Sequence, residues 1–566
     1  MAADDPPQLY DSRRPPRGAR RCRARLHQPR RHGRLTARMS ASAFSTKSLL
    51  PALALAVALE AVLFFSGAPR SDLGADPDEP AHAVTALMVR DYLAEAAGSP
   101  PLAFASRYYE NFPKVALGHY PPGYYAAAAL PLLPGADPDV LLSMQVVLLV
   151  LLAFCIASFA RSWLGASAAW AAALLVVALP PMLKLTVLVM ADILLALLCV
   201  LAAAAWARYL RTGAARASLA FGFLAAAAIL TKGSGLMLAA LPAGTLVLKG
   251  RWGLLKKASW WLAAAPVVVF AAPWMLYSSR ITQEGMLREP VAQFFLRALG
   301  EYARMLPWSL GWVLMALLAL ALAGAVWQAA RARRLEMMEA LLWSWLAGGV
   351  ALMLLIPAGF SSRYLVPLLA PVVLLSISAV TRLAMPGSAA RSRLALPWLV
   401  LALTLGMVGV LPKKDVAGYA SAARKMLAEA VPARQERWLV SSDARGEGAL
   451  IAEACYAMTA QMRVQGRVRI LRASKELSTS DWLGRDYRAA FTEAGKLLRH
   501  LDDGDITWVV LDGAQAPAHV RPHHALLSAA MASENSGWRL FCEQKISRMD
   551  TPGGVLRVYR RVEKLP

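Results

Sequence analysis

The densest run of chemically capable side chains is Asp76-Pro77-Asp78-Glu79-Pro80-Ala81-His82, which sets three carboxylates within four residues and an imidazole just beyond them. Carboxylates this close raise one pKa against another, and such a group can bind a cation or take a proton from a hydroxyl. A plainer reading also applies: Pro80 just inside a helix start, with acids ahead of it, makes a good helix N-terminus. One or two acids suffice for that, so the third exceeds what a cap requires. Asp76-Pro77-Asp78 has the outline of a DxD metal site whose oxygens would suit a hard cation, and a divalent metal is left open. Downstream, His119-Tyr120-Pro121-Pro122-Gly123-Tyr124-Tyr125 gathers a second polar and aromatic group.

The elements that must position these residues are apolar. The chain has 566 residues, 57% hydrophobic and 17% charged, with a mean hydropathy of +0.43. That balance excludes a disordered chain and is too apolar for an ordinary soluble enzyme. Apolar stretches near Leu49–Phe65, Val140–Ala160, Ala168–Leu183, Ile193–Tyr209, Leu219–Leu230 and Leu236–Leu248 read as membrane spans. Further ones lie near Trp260–Leu276, Leu310–Trp327, Met338–Ile356, Tyr364–Val380 and Leu396–Val410, which makes about eleven spans. Leu219–Leu230 and Leu236–Leu248 are flanked by Arg208, Arg211 and Arg216 on one side and Lys249, Arg251, Lys256 and Lys257 on the other. Both flanks belong in the cytoplasm, so the pair is a hairpin and not one span.

The formal net charge is +24, but the basic residues fall in the N-terminal tail and the short loops, where they orient membrane proteins. Nucleic acid is therefore not an expected partner. Residues 1–47 are expected to be a disordered, basic, cytoplasmic tail. Residues 48–412 form the membrane domain, whose large first loop, 69–139, is extracytoplasmic by parity, as are the loop of about Ser278–Pro307 and everything after Pro412. Residues 413–566 alternate short apolar strands with amphipathic helices, with strands at Trp438–Ser441, Val468–Leu471, Ile506–Leu511, Trp538–Phe541 and Val555–Tyr559. The expected fold class is thus an all-α polytopic membrane protein with a C-terminal extracytoplasmic α/β domain. Within that domain Ser441–Gly448 joins a strand to a helix, where α/β sheets bind ligands, although a plain turn accounts for it as well. Among the five cysteines, only Cys455 and Cys542 could pair, if their compartment is oxidising.

The segment Asp78-Glu79-Pro80-Ala81-His82 in an extracytoplasmic first loop resembles the acidic motif of the C-type (GT-C) glycosyltransferases, in particular the protein O-mannosyltransferase and lipid A aminoarabinose transferase families (family 39-like). Further pieces follow in family order. Tyr120-Pro121-Pro122 resembles the later Pro-Pro motif, and Asp192 the second acidic position. Leu230-Thr231-Lys232-Gly233, Ala272-Pro273-Trp274 and Ser362-Arg363-Tyr364-Leu365-Val366-Pro367 resemble motifs of later spans.

The resemblance, which covers roughly Leu49–Pro412, implies a GT-C fold in a bacterial-type inner membrane. It implies transfer of a sugar from a polyprenyl phosphate to an acceptor hydroxyl with inversion. Asp78 would be the base, Glu79 a partner that positions acceptor or base, and Asp192 a second carboxylate orienting the site. Lys232 and Arg363 would hold the donor phosphate, the arginine as a planar fork and the lysine as a point charge. Asp76, His82, His119, Tyr120 and Tyr364 would line the substrates. Aminoarabinose transferases carry Glu-Lys before the Pro-Pro pair where this chain has His119-Tyr120, so that phosphate contact is missing or comes from elsewhere, such as Lys114. A single-phosphate donor lessens the need for a metal. The implied partners are the polyprenyl-phosphate sugar, a lipid, glycan or protein acceptor, and membrane lipid. A transporter or lipid-handling protein is the alternative, but it should place ionisable residues near mid-span and repeat its halves. Here the acids lie in loops at one face.

Charge parity makes the first testable prediction. A reporter active only in the cytoplasm, fused after Pro566, should stay silent. Activity there would move the site residues to the other face.

Overall fold

The computed structural model describes residues 46–383, 390–431, 434–481, 484–534 and 536–562. The basic tail lies outside the described residues except for its last two. The described residues from Ala52 onward belong to one compact unit.

The stretches expected to span the membrane all coincide with helical chain. Helix α1 (Thr46–Ser66) precedes the first loop, which holds α2 (Glu79–Glu95), α3 (Pro101–Asn111) and α4 (Gly123–Ala129). There follow α5 (Pro138–Leu164), α6 (Ala166–Ala178), α7 (Pro180–Thr186), α8 (Asp192–Thr212), α9 (Ala215–Thr231) and α10 (Ala240–Lys249). The membrane part continues with α11 (Ala258–Trp261), α12 (Ala272–Glu284), α13 (Val291–Ala330), α14 (Met337–Leu355), α15 (Val366–Leu383) and α16 (Ala390–Val408). Among the described residues six helices are long and apolar enough to cross a membrane, and the pair α6 and α7, bent by 62°, brings this to seven if it counts as one span. The count of about eleven also includes shorter apolar helices at Ala215–Thr231, Gly233–Lys249 and Leu394–Val408, and the Trp260–Leu276 stretch, which a π-helical turn at Val267–Ala271 interrupts. Leu276, Trp308 and Phe65 are 70% exposed or more, as apolar side chains facing lipid must be.

The stretch expected as a loop at about Ser278–Pro307 is largely helix. Helix α12 runs on to Glu284, and α13 starts at Val291 and breaks at Gly311. Phe294, Ala298 and Tyr302 recur every four residues and are buried, which is one face of a helix. The charges that flank this stripe, Arg297, Glu301 and Arg304, give that stretch the polarity of a loop.

The C-terminal part opens with α17 (Tyr419–Ala428), β1 (Glu436–Ser441), α18 (Ala444–Ala457), α19 (Ala460–Val464) and β2 (Val468–Arg472). A short α20 (Ala473–Glu476) and a small ladder of β3 (Ser478–Thr479) with β4 (Arg488–Ala489) come next. The chain ends through α21 (Ala494–Asp503), β5 (Trp508–Asp512), α22 (Pro522–Met531), β6 (Trp538–Arg548) and β7 (Thr551–Arg561). One sheet of five strands has the order β2-β1-β5-β7-β6. Strand β1 is parallel to β2 and β5, while β7 is antiparallel to β5 and β6. Every strand expected from the sequence is in this sheet. Cys455 and Cys542, the one pair that the sequence left open for an oxidising compartment, are both free: the first is buried in α18 and the second lies on the edge strand β6.

The change of composition at Pro412 is not a break in packing. A single hydrophobic cluster contains Leu87 of α2, Leu149 of α5, Trp345 of α14 and Trp438 of β1. Helix α2 packs against α18 and α19, and polar bonds lock that seam. Arg463 reaches Asp91 of α2 through two contacts of 2.6 and 2.8 Å. Tyr108 donates to the same carboxylate at 3.1 Å. Asp72 accepts from the N–H groups of Tyr419 and Ala420, capping α17 from the first loop; Gly418, at that helix's own cap position, has no side chain to do so.

Breaking a buried ion pair leaves an uncompensated charge, whereas a surface pair contributes little. Arg463→Ala leaves the buried Asp91 only Arg90, at 3.0 Å, as a counter-charge, and should cost about 3 kcal/mol, the low end of the range for a broken buried pair, read as a lowered thermal midpoint and faster proteolysis of residues beyond Pro412. Lys496→Ala, which breaks the exposed pair with Glu493, should cost less than about 1 kcal/mol.

Candidate active site

The site is built around the start of α2. Pro80 lies in the first turn, where its missing N–H costs nothing, and Asp78 is the N-cap residue. The backbone carbonyl of Asp78 accepts the first helical bond from His82 N–H at 2.9 Å. Its carboxylate makes no cap bond. Instead Oδ2 accepts from Tyr120 Oη at 2.9 Å and from Arg363 Nη2 at 2.5 Å. Asp76 Oδ1 lies 3.6 Å from Nη1 of the same guanidinium. Burial alone would push the Asp78 carboxyl up, but the adjoining Arg363 charge holds it well below the usual carboxylate range.

A second ion pair stands beside the first. Lys232, between α9 and the 3-10 turn at Gly233–Ala239, donates to Asp192 Oδ1 at 2.6 Å. Its ammonium is 5.1 Å from the centre of the Tyr364 ring and 6.0 Å from that of Tyr120, and Arg363 lies 5.5 Å from the Tyr364 ring centre. Two glycines allow this convergence. A Cβ on Gly123 would come within 2.8 Å of the Leu230 carbonyl oxygen, and one on Gly235 within 2.5 Å of the Ala228 carbonyl carbon. Real Cβ atoms do not approach backbone so closely, so only glycine lets the Tyr120-Pro121-Pro122 turn and the Lys232 turn pack onto the end of α9.

Glu79 has no solvent exposure and faces away from the cations of this cluster. Its Oε2 accepts from Gly74 N–H at 3.0 Å and Ala75 N–H at 3.1 Å. Its Oε1 accepts from Val189 N–H at 3.3 Å and Lys414 Nζ at 2.7 Å. Lys414 is itself held, its N–H donating to Ser66 carbonyl at 2.9 Å and its carbonyl accepting from Ser71 Oγ at 2.7 Å. The carboxylate thus ties together the segment bearing Asp76, the helix bearing Asp78, the link leading into Asp192 and the strand of chain that leaves the last apolar helix.

The sequence-expected residues divide into two groups. Asp76, Asp78, Tyr120, Asp192, Lys232, Arg363 and Tyr364 come together. His82 stands behind them, buried, its Nδ1 3.0 Å from Tyr125 Oη and its ring 4.7 Å from that of Tyr120. Burial lowers its pKa to about 4, so the imidazole is neutral near pH 7. His119 is half-buried in the neighbouring turn, and burial lowers its pKa as well, against the pull of Glu284 and Asp78. Lys114 turns toward the C-terminal part and donates to the Ala444 carbonyl at 3.2 Å; its burial lowers its pKa to about 8. Lys414 and Tyr125 were not singled out from the sequence. Nothing local marks Lys414, whose partner is 335 residues away.

A cation at Asp76-Pro77-Asp78 would have to compete with Arg363 for both carboxylates. Elsewhere, ligand atoms of Asp443, His519 and Asp550 lie within 4.8 Å of one another, but Arg548 already bridges Asp443 at 2.6 Å and Asp550 at 3.1 Å.

A family model described as dolichyl-phosphate-mannose-protein mannosyltransferase matches residues 119–277, a stretch that holds Tyr120, Asp192 and Lys232. ArnT from Cupriavidus metallidurans in the apo state superposes with a TM-score of 0.52 at 16% identity, over 90% of this chain and 98% of that one. The same protein bound to undecaprenyl phosphate gives 0.41 at 17% identity, over 75% and 79%. An oligosaccharyltransferase from Archaeoglobus fulgidus, in complex with Zn and sulfate, gives 0.47 at 14% identity, over 80% and 67%. No curated protein sequence matches. The family model and the shared fold support a GT-C type chain, as the sequence motifs imply.

The Glu79 arrangement has a direct consequence for stability. Lys414→Met leaves a buried carboxylate without its counter-charge and should cost about 3–5 kcal/mol. Adding Glu79→Gln removes the orphaned charge and should restore most of the thermal midpoint. A Lys414→Met protein as stable as the parent would show that the pair does not hold the site together.

Proposed function

We propose that the chain is an integral-membrane glycosyltransferase that moves a sugar from a polyprenyl-phosphate donor to a hydroxyl of a lipid, glycan or protein acceptor, on the extracytoplasmic face and with inversion. The observation that carries this reading is the convergence of Arg363 and Lys232, from distant segments, on Asp78 and Asp192 beside the start of α2. The motif order, the family model and the shared fold support it.

The reaction requires few groups. An acceptor hydroxyl oxygen attacks the anomeric carbon from the face opposite the phosphate. The new C–O bond forms as the anomeric carbon–phosphate oxygen bond breaks, the hydroxyl proton passes to Asp78, and the polyprenyl phosphate departs with the bonding electrons. The leaving group is stable as an anion and needs fixed positive charge more than a proton. Arg363 and Lys232 supply it, the guanidinium through two parallel bonds. Tyr120 holds the Asp78 carboxylate, and Glu79 positions the helix that carries it without touching substrate. Asp192 orients Lys232. His82, neutral and buried, is a wedge behind Tyr120. Glu79 therefore acts at one remove from the chemistry, and the chain beyond Pro412 serves the site through Lys414.

Asp78→Asn retains the size of the side chain and removes its basicity. General-base loss costs about a hundredfold to ten-thousandfold in rate, whereas a lost helix cap costs about 1 kcal/mol in stability. With a polyprenyl-phosphate sugar as donor, Asp78→Asn should give normal yield and transfer reduced at least about a hundredfold, and Asp76→Asn a much smaller loss. If Asp76→Asn abolishes transfer and Asp78→Asn does not, the base is Asp76.

A further inference from the structure

The two cations assigned to the donor phosphate are not waiting for it. Arg363 is spent on Asp78 at 2.5 Å and Lys232 on Asp192 at 2.6 Å, so each proposed phosphate ligand is held by a proposed catalytic or orienting carboxylate. Building on the transferase reading above, we propose that the donor phosphate and these carboxylates compete for the same two cations, so that donor binding draws Arg363 away from Asp78 and thereby frees the base.

The local geometry favours such an exchange. Asp78 Oδ2 accepts from both Arg363 and Tyr120, and an oxygen so occupied is a poor acceptor for the proton of an attacking hydroxyl. When the guanidinium leaves, Tyr120 still holds the carboxylate in place. Little else restrains Arg363: among the described residues its remaining side-chain contacts are Asp76 at 3.6 Å, the Met190 sulfur at 3.7 Å and the Tyr364 ring, 5.5 Å to its centre, and its side chain retains 15% exposure. A phosphate offers the guanidinium two oxygens at the spacing of its fork, whereas Asp78 here offers one. At the second pair, Asp192 Oδ2 is buried and has no hydrogen-bond partner among the described residues. A carboxylate oxygen left so costs free energy until a donor reaches it, which marks this place as shaped for an incoming hydroxyl-bearing ligand. The exchange would keep the base masked until donor is bound, so that proton abstraction follows donor binding.

Binding of undecaprenyl phosphate to the purified full chain tests this. If Asp78 competes for Arg363, Asp78→Asn should tighten binding roughly tenfold or more, within the range of site-to-site coupling. In an Arg363→Gln background the same substitution should change affinity by less than about twofold. Relief of simple charge repulsion predicts equal tightening in both backgrounds, and that result, or no tightening at all, would overturn the exchange. A second cycle of Asp192→Asn with Lys232→Gln carries the same expectation, and it decides the matter should Asp78→Asn fail to fold. Failure of the parent and every variant to bind undecaprenyl phosphate would overturn both the exchange and the donor class. Binding without cation-dependent tightening would overturn the exchange alone.

Discussion

A carboxylate with no access to water is tolerable only where its charge is met on every side, and Glu79 meets this condition with three backbone N–H groups and the Lys414 ammonium. Those donors come from the first loop, from the link between α7 and α8 and from the chain that follows the last apolar helix. Satisfying one charge therefore fixes the relative positions of Asp76, Asp78 and Asp192, which lie on those same segments or directly beside them. The membrane helices provide a scaffold of apolar packing, but packing between smooth apolar faces is not directional. The buried ion pair is, and it sets the register of the polar cluster above those helices.

The same constraint explains why the C-terminal part cannot be treated as an appendage. Asp72 caps α17, Arg463 neutralises Asp91, Leu73 N–H donates to Glu453 at 2.7 Å and Lys414 neutralises Glu79. Each of these bonds joins the first loop to the chain beyond Pro412. Helix α2 is accordingly buried along most of its length, packed against α3 and α4 of its own loop and against α18 and α19.

The residues of the polar cluster were legible in the sequence because the motifs name their types and the charge pattern assigns them to one side of the membrane. Asp78, Asp192, Lys232 and Arg363 could be placed on one face by counting spans, and the structure brings them within bonding distance. Strands β1, β2, β5, β6 and β7 were legible from short apolar runs. What could not be read depends on contacts between distant residues. Asp78 stands at a helix N-cap in the sequence and in the structure, yet its carboxylate leaves the helix for Arg363, which no local pattern reveals. Glu79 shares the acidic motif but turns the other way, toward a lysine far along the chain. The helical start of α13 was hidden by the charges of Arg297, Glu301 and Arg304 flanking the stripe of Phe294, Ala298 and Tyr302. Cys455 and Cys542 were matched by their common domain, whereas burial in α18 and a place on an edge strand keep them apart.

The central claim is that one carboxylate base and a phosphate clamped by two cations perform a single displacement at an anomeric carbon. Its most direct test is the anomeric configuration of the product, followed by NMR as the purified chain transfers sugar from a polyprenyl phosphate of defined anomeric form. A single displacement with Asp78 as base and the phosphate held by Arg363 and Lys232 predicts a product of inverted configuration from the first turnover. A product that retains the donor's configuration would require two successive displacements through a covalent sugar intermediate, and would contradict the account.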